Sequence, residues 1–373
     1  MAEHIPKIVA GLAELTHVAD VWAEIDDRIA RGDAAFAADL GIAAFETYGS
    51  ESNMWQYTAV LDHVLRRLSA TAGLENVVQT LRLVAAIDRA TLDRHVASLL
   101  ASGQDTRNLT VAFTSPAPEE LRACLVHELV LRGVDVERMP GIAEWATSPH
   151  WRGHPLGRLP LTPSEMEAGA DLPVHGDHGR NHTTPFGPPE VSASTETVAE
   201  ARVPPARETT APDTAAAMTR AVASWVEESN GRVEARVFEL AEPVEVVAVA
   251  QVLPTLGLDC LRGAGTDTAV SVAAGPPARA WRSLFVAAAG GGAYTFGSGG
   301  AYGRLAAWRS MVALAGCPEG AAVDEVRARV GECSWHVFGG DTPWFAQVAW
   351  DLGVIALGAD RRRLAVLAAT DSD

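Results

Sequence analysis

The chain has 373 residues, 48% of them hydrophobic and 21% charged, with 30 basic and 47 acidic side chains and a net charge of −17. That much apolar surface excludes disorder as the main state, and no apolar run reaches the ~18 residues of a membrane span. The length passes the about 250–300 residues at which one hydrophobic core stops growing, so more than one domain is expected.

The first 148 residues read as helices. Met54, Tyr57, Leu61, Val64, Leu65 and Leu68 recur at three- and four-residue steps and predict one buried helical face. Leu74, Val77, Val78, Leu81 and Val84 repeat the pattern, followed by Leu92, Val96, Leu99 and Leu100. Gly32-Asp33, Gly73 and Ser102-Gly103 punctuate the run as caps or turns. Pro116 and Pro118 lead into Glu119 and Glu120, acids that favour a helix's first turn, with Leu121, Cys124, Leu125 and Leu129 as its buried side. Short connections between such helices predict helical hairpins. The stretch is helical-repeat-like, but no fixed period demonstrates a solenoid. It is also acidic: residues 1–149 carry 12 basic and 21 acidic side chains.

Residues 149–217 change texture. Proline recurs throughout, and Ser, Thr and Glu fill Ser192 to Thr214, so the segment reads as a Pro/His-rich loop and linker. Five histidines fall here or at its edge: His150, His154, His175, His178 and His182. The spacing His175-x2-His178-x3-His182 is one that metal sites use, which makes these three weak metal candidates. Without cysteine or a helix to present them, the reading stays at no metal, with solvated loop histidines as the default.

Residues 218–373 read as α+β. Val233, Ala235, Val237 and Glu239 alternate with Glu234, Arg236 and Phe238, the period of a half-buried strand, and the β-branched run Val244–Val252 predicts a central strand. Ala278–Ala289 and Arg304–Ala315 return to helical spacing, with a helix beginning near Tyr302. Trp335–Phe338, Phe345–Leu357 and Leu364–Ala369 are predicted strands, the last two joined by a turn at Gly358-Ala359-Asp360. The tail Asp371-Ser372-Asp373 is expected to be solvated. The predicted fold class is therefore α+β: an N-terminal all-α helical-hairpin region (1–148), the linker (149–217), and a C-terminal α+β domain (218–373) with a mostly antiparallel sheet.

The densest chemical signal is Gly290 to Arg304, in which Gly-Gly-Ala-Tyr occurs twice, eight residues apart. Glycines at this density let backbone approach a ligand, and the following helix N-terminus could hold an anion. Gly299, Gly300, Tyr302, Gly303, Arg304 and Arg309 are the candidate ligand-binding residues. Asp and Glu are absent from Ala278 through Pro318, an unusual gap in so acidic a chain. The alternative reading is a tight helix–helix turn with aromatics packed into it.

Sharper motifs fail. No Gly-Lys-Ser/Thr follows the glycines, and Lys7 is the single lysine, which removes P-loop and Schiff-base chemistry. Gly-x-Ser-x-Gly does not occur. His127-Glu128 lacks the second histidine of a zinc protease, and Cys333 and His336 would point to opposite strand faces. Four cysteines without a CxxC pair fit a reducing compartment, and the first ten residues lack a signal-peptide core, so the expected location is cytoplasmic. No segment has a basic surplus, which excludes nucleic acid and an anionic membrane as main partners.

The C-terminal half resembles a family of uncharacterised actinobacterial proteins. The likeness rests on Leu256-Gly257-Leu258-Asp259-Cys260-Leu261-Arg262, on Gly299 through Ser310, on Val348 through Gly353 and on Leu364 through Asp371. It covers roughly residues 150–373 and implies no activity or cofactor. With no motif uniting nucleophile, base and orienting group, the leading reading is a soluble intracellular binding or interaction protein with a protein partner. The alternative is an enzyme or sensor for a small phosphate- or nucleotide-like anion at the glycine loop.

Overall fold

A computed structural model describes residues 4–50, 53–167, 172, 174–176, 179–181, 203–263, 270–295, 297–318, 320–345 and 350–372. It is α+β and divides into two compact units: Met1–Thr162 with Val174–Asn181, and Pro163–Pro173 with His182–Asp373.

The first unit contains α1 (His4–Gly11), α2 (Ala19–Ala30), α3 (Ala34–Tyr48), α4 (Trp55–Ala70), α5 (Leu74–Ile87), α6 (Ala90–Gly103), the short α7 (Thr106–Leu109) and α8 (Val111–Thr114), α9 (Glu119–Leu131), α10 (Ile142–Trp145) and α11 (Pro149–Gly153). A two-stranded antiparallel pair, β1 (Val174–Gly176) and β2 (Gly179–Asn181), completes it. The turn at Gly32-Asp33 starts α3, because the Asp33 carboxylate accepts the Phe36 N–H at 3.3 Å and satisfies a donor the helix cannot. The predicted face of α4 is buried at Tyr57, Val64, Leu65 and Leu68, with Val60 joining it while Leu61 is half-buried. In α9 burial is not one-sided: Ala123, Val126, His127, Glu128 and Val130 are enclosed along with the predicted apolar side. A helix enclosed on all faces is central, and α9 packs against α6.

The second unit is built on one six-stranded sheet. Its elements are β3 (Ala206–Glu208), α12 (Pro212–Met218), α13 (Ala223–Glu227), β4 (Arg232–Leu240), α14 (Val249–Val252), β5 (Val270–Gly275), α15 (Pro277–Gly290), α16 (Gly299–Leu314), α17 (Val323–Glu332), β6 (Ser334–Gly340), β7 (Trp350–Leu357) and β8 (Arg363–Asp371). The strand order is β3-β4-β8-β7-β6-β5, every pair antiparallel. β3 and α12 lie within the stretch that the sequence reads as linker, while 182–202 lies outside the described residues.

β8 is central, and Leu364 through Asp371 are buried on both of its faces. Leu364, Val366 and Ala368 pack with Phe238, Leu240, Phe338, Ile355 and Leu357 against Val249, Val252, Leu253, Leu256 and Cys260. This corrects the expectation of a strand at Val244–Val252. Residues Val246–Ala248 form a 3₁₀ turn running into α14, and the segment covers the sheet instead of joining it. A short apolar run buried on all sides suits a covering helix as well as a strand, and Pro254 just beyond forbids ladder pairing. The opposite sheet face meets α15 and α16. Arg363 donates to the Leu314 and Ala313 carbonyls at 2.5 and 3.1 Å, capping the C-terminus of α16 with a cation where the dipole favours one.

α15 and α16 approach closely at Gly303. A Cβ there would stand 2.7–2.9 Å from the Ala289 side chain and backbone, so only glycine fits. Replacing Gly303 by Ala is expected to destabilise the fold by about 1–3 kcal/mol through overpacking. Gly331, in α17 with open space around it, gives the opposite sign: its change to Ala should stabilise by about 0.4–1 kcal/mol. Urea denaturation of both variants checks the pair, and equal midpoints would contradict the close approach.

Candidate functional site at the glycine turn

The turn between α15 and α16 is made from the chain's own hydrogen bonds. α15 ends on Gly291, whose φ of +87° is the left-handed region that glycine tolerates. The Ser298 N–H and hydroxyl both donate to the Ala288 carbonyl, at 2.8 and 3.0 Å, and the Gly297 N–H donates to Gly290 at 3.2 Å. The Gly292 N–H donates to Thr295 Oγ1 at 2.7 Å. The helix that follows begins at Gly299, three residues before the predicted start near Tyr302, so the second Gly-Gly-Ala-Tyr is its first turn. Three helical residues without bulky branching, and Gly303 one turn on, let α16 lie against α15.

An anion does occupy this turn: the Asp371 carboxylate. Its Oδ2 accepts the Ala293 N–H at 2.7 Å, and its Oδ1 accepts the Ser229 hydroxyl at 2.8 Å and the Ser372 N–H at 3.1 Å. A Cβ on Gly292 would collide with this carboxylate. The tail expected to be solvated is therefore anchored at Asp371, a buried residue of β8 that pairs with Trp350, and Asp351 opposes Thr370 beside it. Asp373 lies outside the described residues.

The arginine of the motif is also committed. Arg304 is 0% exposed and grips Glu167 with both Nε, at 2.6 Å to Oε1, and Nη2, at 3.0 Å to Oε2. Trp308 Nε1 donates to the same Oε1 at 2.7 Å, and the Ser164 N–H donates to Oε2 at 2.6 Å. The spacing of Arg304 and Trp308 by four puts both donors on one helical face. Of the other candidates, Gly300 and Gly303 are buried, Gly299 and Tyr302 half-buried, and Arg309 exposed.

Sequence reasoning missed Glu167 and Asp371, which lie 137 and 78 residues from the groups they bind. The signal that could have found them is the acid-free stretch itself: a buried arginine needs a carboxylate, and none is available locally. Elsewhere, Cys333 is buried, with its thiol 4.0 Å from the Ala315 carbonyl, and burial pushes its ionisation up to about 11. Burial lowers that of His336. This is not an activated pair. His175 lies in β1, and His178 and His182 fall outside the described residues. Among the described residues no group of three His, Cys, Asp or Glu side chains could hold a metal ion, and no helix is long and apolar enough to cross a membrane.

A model of a family of unknown function, DUF6183, matches residues 19–373. The chain belongs to this family. The match takes in the helical region as well as the C-terminal half that carries the resemblance read from sequence. No curated protein and no solved structure matches the chain.

Removing one partner of a buried pair leaves an uncompensated charge, which costs about 3–5 kcal/mol. Arg304→Met is expected to lower stability by that amount, and adding Glu167→Leu should recover most of it. A double variant as unstable as the single one, in a urea series, would contradict this account of the pair.

Proposed function

We propose that this protein is an intracellular binding or interaction protein whose partner is another protein, met on its N-terminal helices. The observation that carries the reading is a pair of exposed tryptophans on adjoining helices: Trp22 of α2 at 36% and Trp55 of α4 at 50%. Trp22 donates through Nε1 to the Ala59 carbonyl of α4 at 3.3 Å and stacks on His63 at 5.0 Å, so its ring is fixed in place while open to solvent. Trp55, Ala59 and His63 follow at four-residue steps, one face of α4. Rigid exposed aromatics of this kind dominate the energetics of protein interfaces. Ala19, Asp20, Ala23 and Asp27 of α2 are exposed along with Trp22.

Support also comes from the glycine turn, where the Ala293 N–H is taken by Asp371 and Arg304 is held by Glu167. The free thiols of Cys124, Cys260, Cys317 and Cys333 suit a reducing compartment.

The test is affinity enrichment from a native extract with the wild-type chain and a Trp22→Ala/Trp55→Ala variant shown to be folded by circular dichroism. A partner enriched at least tenfold by the wild type, and lost in the variant, is the expected outcome. Stabilisation by inorganic phosphate or a nucleotide in thermal denaturation, abolished by Arg309→Ala but not by the tryptophan changes, would favour the small-anion reading instead.

A further inference from the structure

The first unit holds a buried acid that the interaction surface does not use. Asp93, in the first turns of α6, is 3% exposed, and its Oδ1 is enclosed without a hydrogen-bond partner. A buried polar atom left unpaired is rare in folded proteins and calls for a physical account. α6 packs against α9, and Glu120 of α9 faces Asp93 across the contact. Glu120 is itself held in place: Arg94 Nε donates to its Oε1 at 2.6 Å, and His154 Nε2 is 2.9 Å from its Oε2. His154 Nδ1 accepts the Leu156 N–H at 3.3 Å, which leaves the hydrogen on Nε2, pointing at the carboxylate. The same Glu120 receives the Cys124 thiol at 4.0 Å. Its two oxygens thus face Arg94, His154 and Cys124, and none of these donors serves Asp93.

The charges that reach Asp93 are Glu120 from α9, Asp88 from the end of α5, and Arg94 from its own helix. Among the described residues α4 and α7, which also pack on α6, bring it none; β1 packs on α6 too, and the side chains of β1, His175 among them, lie outside those described. Two negative neighbours and one positive one, around a carboxyl that is 3% exposed, favour the neutral form.

We propose that the α6–α9 contact is a proton-operated switch, in which Asp93 is carried as the neutral acid between the packed helices and its ionisation beside Glu120 loosens them. The direction of titration agrees. Burial first, then the charges of Glu120 and Asp88, raise the Asp93 ionisation to about 7, with Arg94 opposing. An unfolded aspartate releases its proton near 3.9. Between those values the native state holds a proton that the unfolded chain has lost, so stability is greatest at low pH and falls as pH rises to about 7. The unfolding equilibrium constant should then rise by up to tenfold per pH unit across that window from this group alone.

The experiment is hydrogen exchange on the full chain between pH 5 and 8.5, corrected for the intrinsic rate at each pH, reading peptides from α6 and α9 against peptides from β8. In the wild type, protection of α6 and α9 should fall at least tenfold between pH 5 and 7 and level off above, while β8 is unchanged. Asp93→Asn, which is neutral at every pH and nearly the same size, should remove that fall. Glu120→Gln, which deletes the nearest like charge, should move its midpoint to lower pH. An identical pH response in wild type and Asp93→Asn would overturn the proposal, as would a fall shared equally by β8. Should Asp93→Asn not fold, the shift of midpoint in Glu120→Gln decides, and its absence overturns the proposal.

Discussion

A buried guanidinium must meet a carboxylate, and α15 and α16 contain none. Because Ala278 through Pro318 lacks Asp and Glu, the segment can satisfy its charge only by importing acids. Glu167 arrives ahead of the sheet in sequence and takes both arms of Arg304. Asp371 arrives from the last strand and takes the Ala293 N–H. The two contacts tie segments far apart in sequence to the two helices. The entropy of closing such long loops grows only slowly with their length, whereas leaving one of these groups unpaired costs several kcal/mol. The second unit therefore has strong reason to bring residues 164–167, α16 and the end of β8 to fixed places on the same helical pair.

This constraint also accounts for the glycines. Their density reads equally well as a cradle for a ligand or as a place where backbone meets backbone. In the structure Gly303 admits Ala289, Gly292 admits the Asp371 carboxylate, and the N–H groups of Gly292, Gly297 and Ser298 find a hydroxyl and carbonyls of neighbouring residues. One acceptor at the turn is a side chain from the last strand, the Asp371 carboxylate on the Ala293 N–H. Among the aromatic side chains described in the first unit, Trp22 and Trp55 stay exposed on adjoining helices.

Elements with a clear period were legible in the sequence. β4 follows from alternation over Arg232–Leu240, and α15 and α16 from three- and four-residue steps. β6 and β8 extend a residue or two beyond their predicted bounds, and β7 is described over Trp350–Leu357, with Phe345 in a bend and 346–349 outside the described residues. Val244–Val252 was not legible, because an apolar run has no period to distinguish a covering helix from a covered strand. The enclosure of α9 was hidden for a related reason: His127 and Glu128 look like a polar face until the Leu156 carbonyl and Arg132 are seen to meet them. Asp93 was hidden most completely. An acid in the first turns of a helix is what the helix dipole favours, so nothing in its sequence position announces a burial that disfavours its charge.

Three buried carboxyls show how differently one chain can meet the same cost. Glu167 is ringed by donors from Arg304, Trp308 and Ser164. Asp371 has two N–H groups and a hydroxyl. In each, every oxygen has a donor to replace water. Asp93 lacks such a shell, and the positive group near it, Arg94, already spends its Nε on Glu120. The energy that hydrogen bonds supply to the other two must here come from a proton, and a proton is the one partner whose supply the surroundings control. A carboxyl with protein donors belongs to the fold at any ordinary pH. A carboxyl whose only partner is a proton makes the contact it lies in answer to pH, and for Asp93 that contact is the junction of α6 with the central helix α9.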